Sequence, residues 1–223
     1  NLRVQKVVLE RTVANRTREL QLEKDRSEEL LKNILPENVA NELKVRGSAE
    51  ARHFDQVTVL FSDFREFTRI SEQFSAAELV EELNICFNAF DRIMEKYGVE
   101  KIKTIGDAYM AAGGVPDPSG GSPLAVVLAG LEMQQIMRER QAERKAQGKT
   151  AFEMRVGIHT GPVVAGIVGR RKFHYDIWGD TVNTASRLET AGDTGEVNIS
   201  NATYALVKDA PELQFSARGQ ISA

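Results

Sequence analysis

A chain of 223 residues, 42% hydrophobic and 27% charged, has ordinary globular composition and is long enough for one substantial domain plus an extension. Its net charge of -3 argues against general nucleic-acid binding, which shows a basic surplus. Its single cysteine, Cys86, excludes an intrachain disulfide, fits a reducing, cytoplasmic setting, and lies among apolar residues as a core residue would. No apolar run is long enough to span a bilayer and no signal peptide is legible. The chain starts at Asn1 without a methionine, so a fragment is expected, with an upstream sensor or membrane domain attached through its N-terminus.

Residues 2 to about 34 lack Gly and Pro and are dense in Lys, Arg and Glu, which predicts a long helix. A heptad frame puts Lys6, Val13, Leu20, Ser27 and Ile34 at a and Leu2, Leu9, Arg16, Glu23 and Leu30 at d. Apolar ends and a polar centre read as a weak parallel coiled coil, or as a single solvated helix. At ~1.5 Å per residue the segment would span roughly 50 Å. Pro36 opens a short second helix that Gly47 ends, and 48 to 55 reads as a linker. The expected boundaries are therefore 1–34, 35–55 and 56–223.

Within the last region, "VTVLFSDF" alternates as a strand with Asp63 near its C-terminal end. Residues 65 to 98 carry helical spacing, and Ser75 followed by Glu78 forms a capping-box pattern. Strands are expected at 99–105 and 108–114, a helix at 123–147, and strands at "EMRVGIHT", "PVVAGIVG" and "FHYDIWG". A helix at "DTVNTASRLETA", a strand at "GEVNIS" and a short helix follow. The fold class is α+β, a mainly antiparallel sheet with helices packed on one side, preceded by the coiled-coil helix.

On the strand at 99 to 107, simple alternation gives one face to Val99, Lys101, Lys103, Ile105 and Asp107, with Lys103 and Asp107 roughly 13 Å apart. If the ends carrying Asp63 and Asp107 are neighbours, two carboxylates converge and suit Mg²⁺ or Mn²⁺. Taken singly, Asp63 is better read as a helix N-cap and Asp107 as a turn residue. In "DTVNTASRLE", Val182, Ala185 and Leu188 are expected on the buried side. Asn183 and Arg187 project together from positions i and i+4, suiting a ribose and a developing phosphoryl charge, or merely a solvated face. Arg171 in "GRRKF" suits phosphate, or an ordinary surface turn. His159 reads as structural, and His53 and His174 have no metal-ligand spacing.

Four stretches, "VLFSDFREFT", "EKIKTIGDAYMAAGG", "RVGIHTGPVVAGIVG" and "YDIWGDTVNTASR", together and in this order resemble the catalytic domain of class III adenylyl and guanylyl cyclases. The resemblance implies a ferredoxin-like, palm-type fold and a head-to-tail homodimer with active sites at the subunit interface. It implies that Asp63 and Asp107 hold two divalent cations, Mg²⁺ or Mn²⁺. Arg171 of that same subunit, with Phe64 and Thr68, would meet the phosphates. The other subunit would supply Lys103 and Asp176 to the base, Asn183 to the ribose and Arg187 to the reacting phosphorus. The family also places a triphosphate-binding lysine just past "RGQIS", where this sequence stops at Ala223.

Hydrogen bonding distinguishes the base. Lys103 only donates and ionised Asp176 only accepts, which matches the N1 acceptor and N6 donor of adenine and mismatches guanine. Similar guanylyl cyclases carry Glu and Cys at these two places. ATP, cyclised to 3′,5′-cyclic AMP, is the expected substrate. The alternatives are a guanylyl cyclase and a silent, nucleotide-sensing cyclase-like module.

Overall fold

The computed structural model describes residues 2–32, 34–169 and 173–219. They form two units, one of residues 1–49 with 169–175 and one of residues 50–168 with 176–223.

The first unit is helical. Its Gly-free, Pro-free start forms α1 (Leu2–Lys32), along which Val13, Leu20 and Leu30 are exposed. Pro36 precedes α2 (Glu37–Arg46), which stops at Gly47 because that residue takes a left-handed φ of 71°, open to glycine at little cost, and returns its N–H to the Leu43 carbonyl at 2.8 Å. Lys44 pairs with Glu28 at 3.2 Å, tying the two helices together.

The second unit is built on a sheet with strand order β2-β3-β1-β4-β5, from β1 (Arg52–Phe64), β2 (Glu100–Ile105), β3 (Ala108–Gly113), β4 (Met154–Val168) and β5 (His174–Trp178). β1 is antiparallel to β3 and β4, β2 is antiparallel to β3, and β6 (Val197–Ile199) runs parallel to β4. Two expectations change. β1 begins at Arg52, inside the segment read as a linker. The two strands expected on either side of Gly161–Pro162 are one continuous β4. Proline survives there because β1 shifts register between Phe54 and Val57, opposite Pro162, so no ladder hydrogen bond is demanded of it.

The helices are α3 (Phe67–Ser71), α4 (Ala76–Tyr97), α5 (Pro123–Ala146), α6 (Asp180–Thr190) and α7 (Asn201–Val207). α4 starts where its sequence predicts. The Ser75 hydroxyl accepts from Glu78 N–H at 3.3 Å, and the Glu78 carboxylate accepts from Ser75 N–H at 3.0 Å. Its inward residues Glu82, Cys86, Phe90, Ile93 and Met94 recur at helical spacing. Cys86, Phe90, Ile93 and Met94 pack with Leu60, Tyr109, Ala111, Met133, Met137, Val156 and Ile158 into the main core. Phe64 and Phe74 stack on Phe152 at centroid distances of 4.9 and 5.1 Å and close its end. Each such side chain contributes roughly 1.5–3 kcal/mol by leaving water.

Glu82 is a carboxylate in this apolar setting. Arg140 donates to its two oxygens at 2.9 and 2.7 Å, and Arg144 donates at 2.8 Å, so α4 and α5 are pinned by a neutralised cluster. The Cys86 thiol beside it is buried, which pushes its pKa up to about 12 and keeps it an inert core residue.

The main core, with α4, α5 and α7, covers one face of the sheet, as expected. α6 lies on the other. It can do so because Gly157 of β4 has no side chain. A Cβ there would stand 2.1 Å from Glu189 N and 2.5 Å from the Ala185 carbonyl. No described helix is long and apolar enough to cross a membrane.

Candidate active site

The β1–β3 ladder pairs Ser62 with Tyr109. Just past this pair, Asp63 stands next to last in β1, and Asp107 sits two residues before Tyr109 in the β2–β3 turn, made possible by Gly106 at φ 64°. The fold thus brings the two carboxylates within hydrogen-bonding reach. Phe64 N–H also donates to Asp107. Burial, and then the adjacent Asp63, push the Asp107 carboxyl up to about 7 from its ordinary 3.8. Crowded hard oxygens of this kind fit Mg²⁺ or Mn²⁺, whose charge would relieve the repulsion. Among the described residues no group of three His, Cys, Asp or Glu side chains stands ready to hold a metal. Backbone, water and phosphate oxygens would therefore complete the shell, as is usual for Mg²⁺.

Lys103 lies elsewhere on the same hairpin. Simple alternation fails on β2, because its register against β3 shifts between Lys101 and Lys103. This bulge turns the two lysines to opposite faces. Lys101 points to the α4 side, where it donates to Asp91 at 2.8 Å and lies over the Tyr109 ring. Val99 belongs to the core on that side too. Lys103 takes the opposite face and reaches Asp176 of β5 with an Nζ–Oδ2 distance of 2.5 Å. The other Asp176 oxygen accepts from Ile177 N–H at 2.9 Å. Asp176 is nearly buried while Lys103 keeps about a quarter of its side chain exposed (10% against 27%). The donor-only and acceptor-only groups therefore stand side by side in one chain.

On α6 the buried residues are Thr181, Ala185 and Glu189, while Val182 and Leu188 are only half-buried. The expected inner face is thus rotated, because Gly157 admits the helix along the Ala185–Glu189 line. Asn183 and Arg187 are both exposed, four residues apart on one side. Thr68 is exposed on α3. The Phe64 side chain cannot meet phosphate, since its ring is buried against Phe152, so only its backbone is available. Arg171 lies outside the described residues. His159 is partly buried, which depresses its pKa, and its Nδ1 stands 2.8 Å from the Ser200 hydroxyl. This is a structural setting.

Sequence reasoning missed two residues. Arg155 pairs with Asp63 across the β1–β4 ladder. Its guanidinium lies 3.7 Å from the Asp63 carboxylate and 3.0 Å from the buried Glu189 carboxylate of α6. It also donates to the Thr190 carbonyl at 3.0 Å, in the last turn of the helix. Arg155 Nε and Glu189 Oε1 are close but not aligned as a hydrogen bond, so their contact is ionic. Burial raises the Glu189 pKa against the pull of Arg155. "MRVGIHT" did show an arginine on the inner edge of a strand, but no spacing rule linked it to a glutamate far along the chain.

Residues 49–223 match the model of the adenylate and guanylate cyclase catalytic domain. The chain belongs to this family. An adenylate cyclase from Mycobacterium tuberculosis is 38% identical over 204 residues, covering 91% of this chain and 45% of the relative. The retinal guanylyl cyclase 2 of Rattus norvegicus is 39% identical over 204 residues, covering 92% of this chain and 18% of the relative. This cyclase domain chain therefore spans less than half the length of these relatives. Among solved structures, the adenylyl cyclase CyaB from P. aeruginosa superimposes with a TM-score of 0.68 at 38% identity, covering 73% of this chain and 84% of that one. The catalytic core of a rhodopsin-guanylyl cyclase with converted specificity, in complex with ATPαS, gives 0.66 at 36% identity, covering 72% and 85%.

Proposed function

We propose that this cyclase domain converts ATP to 3′,5′-cyclic AMP and pyrophosphate, in a head-to-tail homodimer with its sites at the subunit interface. The Lys103–Asp176 pair carries the reading. A donor held against an acceptor matches adenine N1 and N6, whereas guanine would set donor against donor and acceptor against acceptor. Mispaired buried polar groups discriminate by about 10⁴-fold in favourable sites.

Asp63 and Asp107 would hold two divalent cations, which would make the ribose 3′-hydroxyl a better nucleophile and neutralise the triphosphate. Arg171, the Phe64 backbone and Thr68 of the same subunit meet phosphate oxygens. Asn183 and Arg187 of the other subunit are free to face across an interface, because they project from the exposed side of α6. Asn183 orients the ribose. Arg187 offers a planar fork to the charge that develops on the phosphorus, where stabilisation counts most. Residues 1–34 act as a parallel coiled coil that brings the two subunits together and passes on the state of an upstream domain, 35–55 transmits it, and 56–223 is the catalytic region.

Guanylyl turnover is the second reading, since guanylyl relatives are about as similar as adenylyl ones. Product formation by the purified chain with Mn²⁺, given ATP and GTP in parallel beside an Asp63→Ala control, tests both. Cyclic AMP that disappears in the control is expected. Cyclic GMP alone would refute the base argument, and no product from either nucleotide despite bound nucleotide would favour a silent, sensing module.

A further inference from the structure

The contacts of Arg155 reach two functional elements at once. It touches Asp63 at 3.7 Å and grips α6 twice, through Glu189 and the Thr190 carbonyl, both at 3.0 Å. Its positive charge also suits the negative end of the helix dipole. Glu189 is 4% exposed and stands on the helix that carries Asn183 and Arg187. Its burial follows from the missing side chain of Gly157, which lets α6 settle on β4. A buried carboxylate facing one guanidinium holds its position well, since swinging away would leave either charge unpaired in a setting that water barely reaches.

We propose that Arg155 and Glu189 are a positioning pair that fixes the Asp63 carboxylate and the seat of α6 to one another. The pair thereby couples the two active sites of the dimer. This rests on the proposed head-to-tail arrangement, in which Asp63 of a chain serves one site and α6 of the same chain serves the other. A shift at one site's carboxylate then moves the arginine and asparagine of the other site through Arg155, within a single chain.

Mn²⁺ binding without nucleotide, followed by electron paramagnetic resonance, reads the Asp63 end directly. Arg155→Met weakens Mn²⁺ binding about tenfold, as loss of an outer partner does elsewhere, and Arg155→Lys restores part of it. A bystander charge would do the opposite, because removing a cation beside Asp63 would tighten Mn²⁺ binding. Tighter or unchanged binding overturns the proposal. Arg155→Met with Glu189→Gln removes both buried charges, and gives a folded variant should the single change unfold the chain.

The coupling is read in mixed dimers that keep one intact site. One chain carries Asn183→Ala and Arg187→Ala and supplies Asp63. Its partner carries Asp63→Ala and supplies α6. Arg155→Met in the first chain raises the Mn²⁺ concentration for half-maximal rate. In the second it lowers kcat about tenfold with that concentration unchanged, an effect of second-site geometry on transition-state contacts. An effect from one placement only overturns the coupling. A parent mixed dimer without turnover counts against the proposed function, while the Mn²⁺ titration still decides the role of Arg155.

Discussion

Replacing Asp107 by asparagine should stabilise the metal-free protein above neutral pH and leave it unchanged below about pH 4. The Asp107 carboxyl is displaced upward to about 7 from 3.8, first by burial and then by Asp63. An acid whose affinity for protons is higher when folded binds more protons in the native state between those two values. Stability therefore falls as pH rises from about 4 to about 7, and the full penalty stands above that. A displacement of this size would amount to roughly 4 kcal/mol in a sealed interior. Asp107 is partly open to water, so screening leaves about 1–2 kcal/mol. At roughly 2–4 °C per kcal/mol for a chain of this size, Asp107→Asn should raise Tm by about 2–8 °C at pH 8 and by roughly a third of that at pH 5. Mn²⁺ should stabilise the parent at pH 8 and stabilise the variant far less. Thermal melts at both pH values, with Mn²⁺ or with a chelator, measure all four states. Equal stabilisation at both pH values, or equal Mn²⁺ response in parent and variant, would refute the argument that the two carboxylates crowd one another and await a cation.

The base pair predicts a change of nucleotide preference. Lys103→Glu with Asp176→Cys should lower kcat/KM for ATP by about a hundredfold or more and raise the ratio of GTP to ATP turnover, measured side by side; an unaltered ratio would mean the base is read elsewhere. Gly157→Ala should be severe although no chemistry passes through it, since its new methyl would meet the α6 backbone at 2.1 Å. Denaturant unfolding should show a loss of about 1–3 kcal/mol from the overpacked contact, and turnover should fall further than stability does. Near-parental activity would show that α6 can ride higher on β4 at no cost.

The elements were legible wherever local chemistry decides them. Ser75 and Glu78 announced the start of α4, and Pro36 and Gly47 the two ends of α2. What escaped was set by pairing between distant segments. Lys101 and Lys103 read as neighbours on one face because alternation was assumed, and only the register of β3 reveals the bulge between them. Pro162 read as a break because a proline in a strand is costly; the compensating shift lies in β1, a hundred residues earlier, and no local rule shows it. Asp63 and Asp107 were legible as a conditional pair, since a hairpin turn and a strand end are natural neighbours. Arg155 was legible as a strand residue, but nothing linked it to Glu189. Their partnership depends on the depth at which α6 sits, which Gly157 sets.

The two faces of the sheet obey different demands, and this explains where the irregularities fall. The face under α4 and α5 is filled with Leu60, Tyr109, Ala111, Val156 and Ile158, and regular alternation serves it well. On the opposite face, Asp63, Lys103, Arg155 and Asp176 replace apolar residues. Buried charge is tolerated there only where a partner stands close, so geometry must be set more finely than alternation allows. The bulge at Lys101–Lys103 sends one lysine to Asp91 and the other to Asp176, and a regular strand, with the single residue Ile102 between them, would turn both to one face. Gly157 likewise gives up core volume so that Glu189 reaches Arg155. Each departure costs stability locally, and all of them fall on the face that carries the polar groups of the proposed nucleotide site. Regularising the ladder by giving β3 a matching residue opposite Ile102 would therefore bring Lys103 to the same face as Lys101 and leave Asp176 nearly buried without its cation.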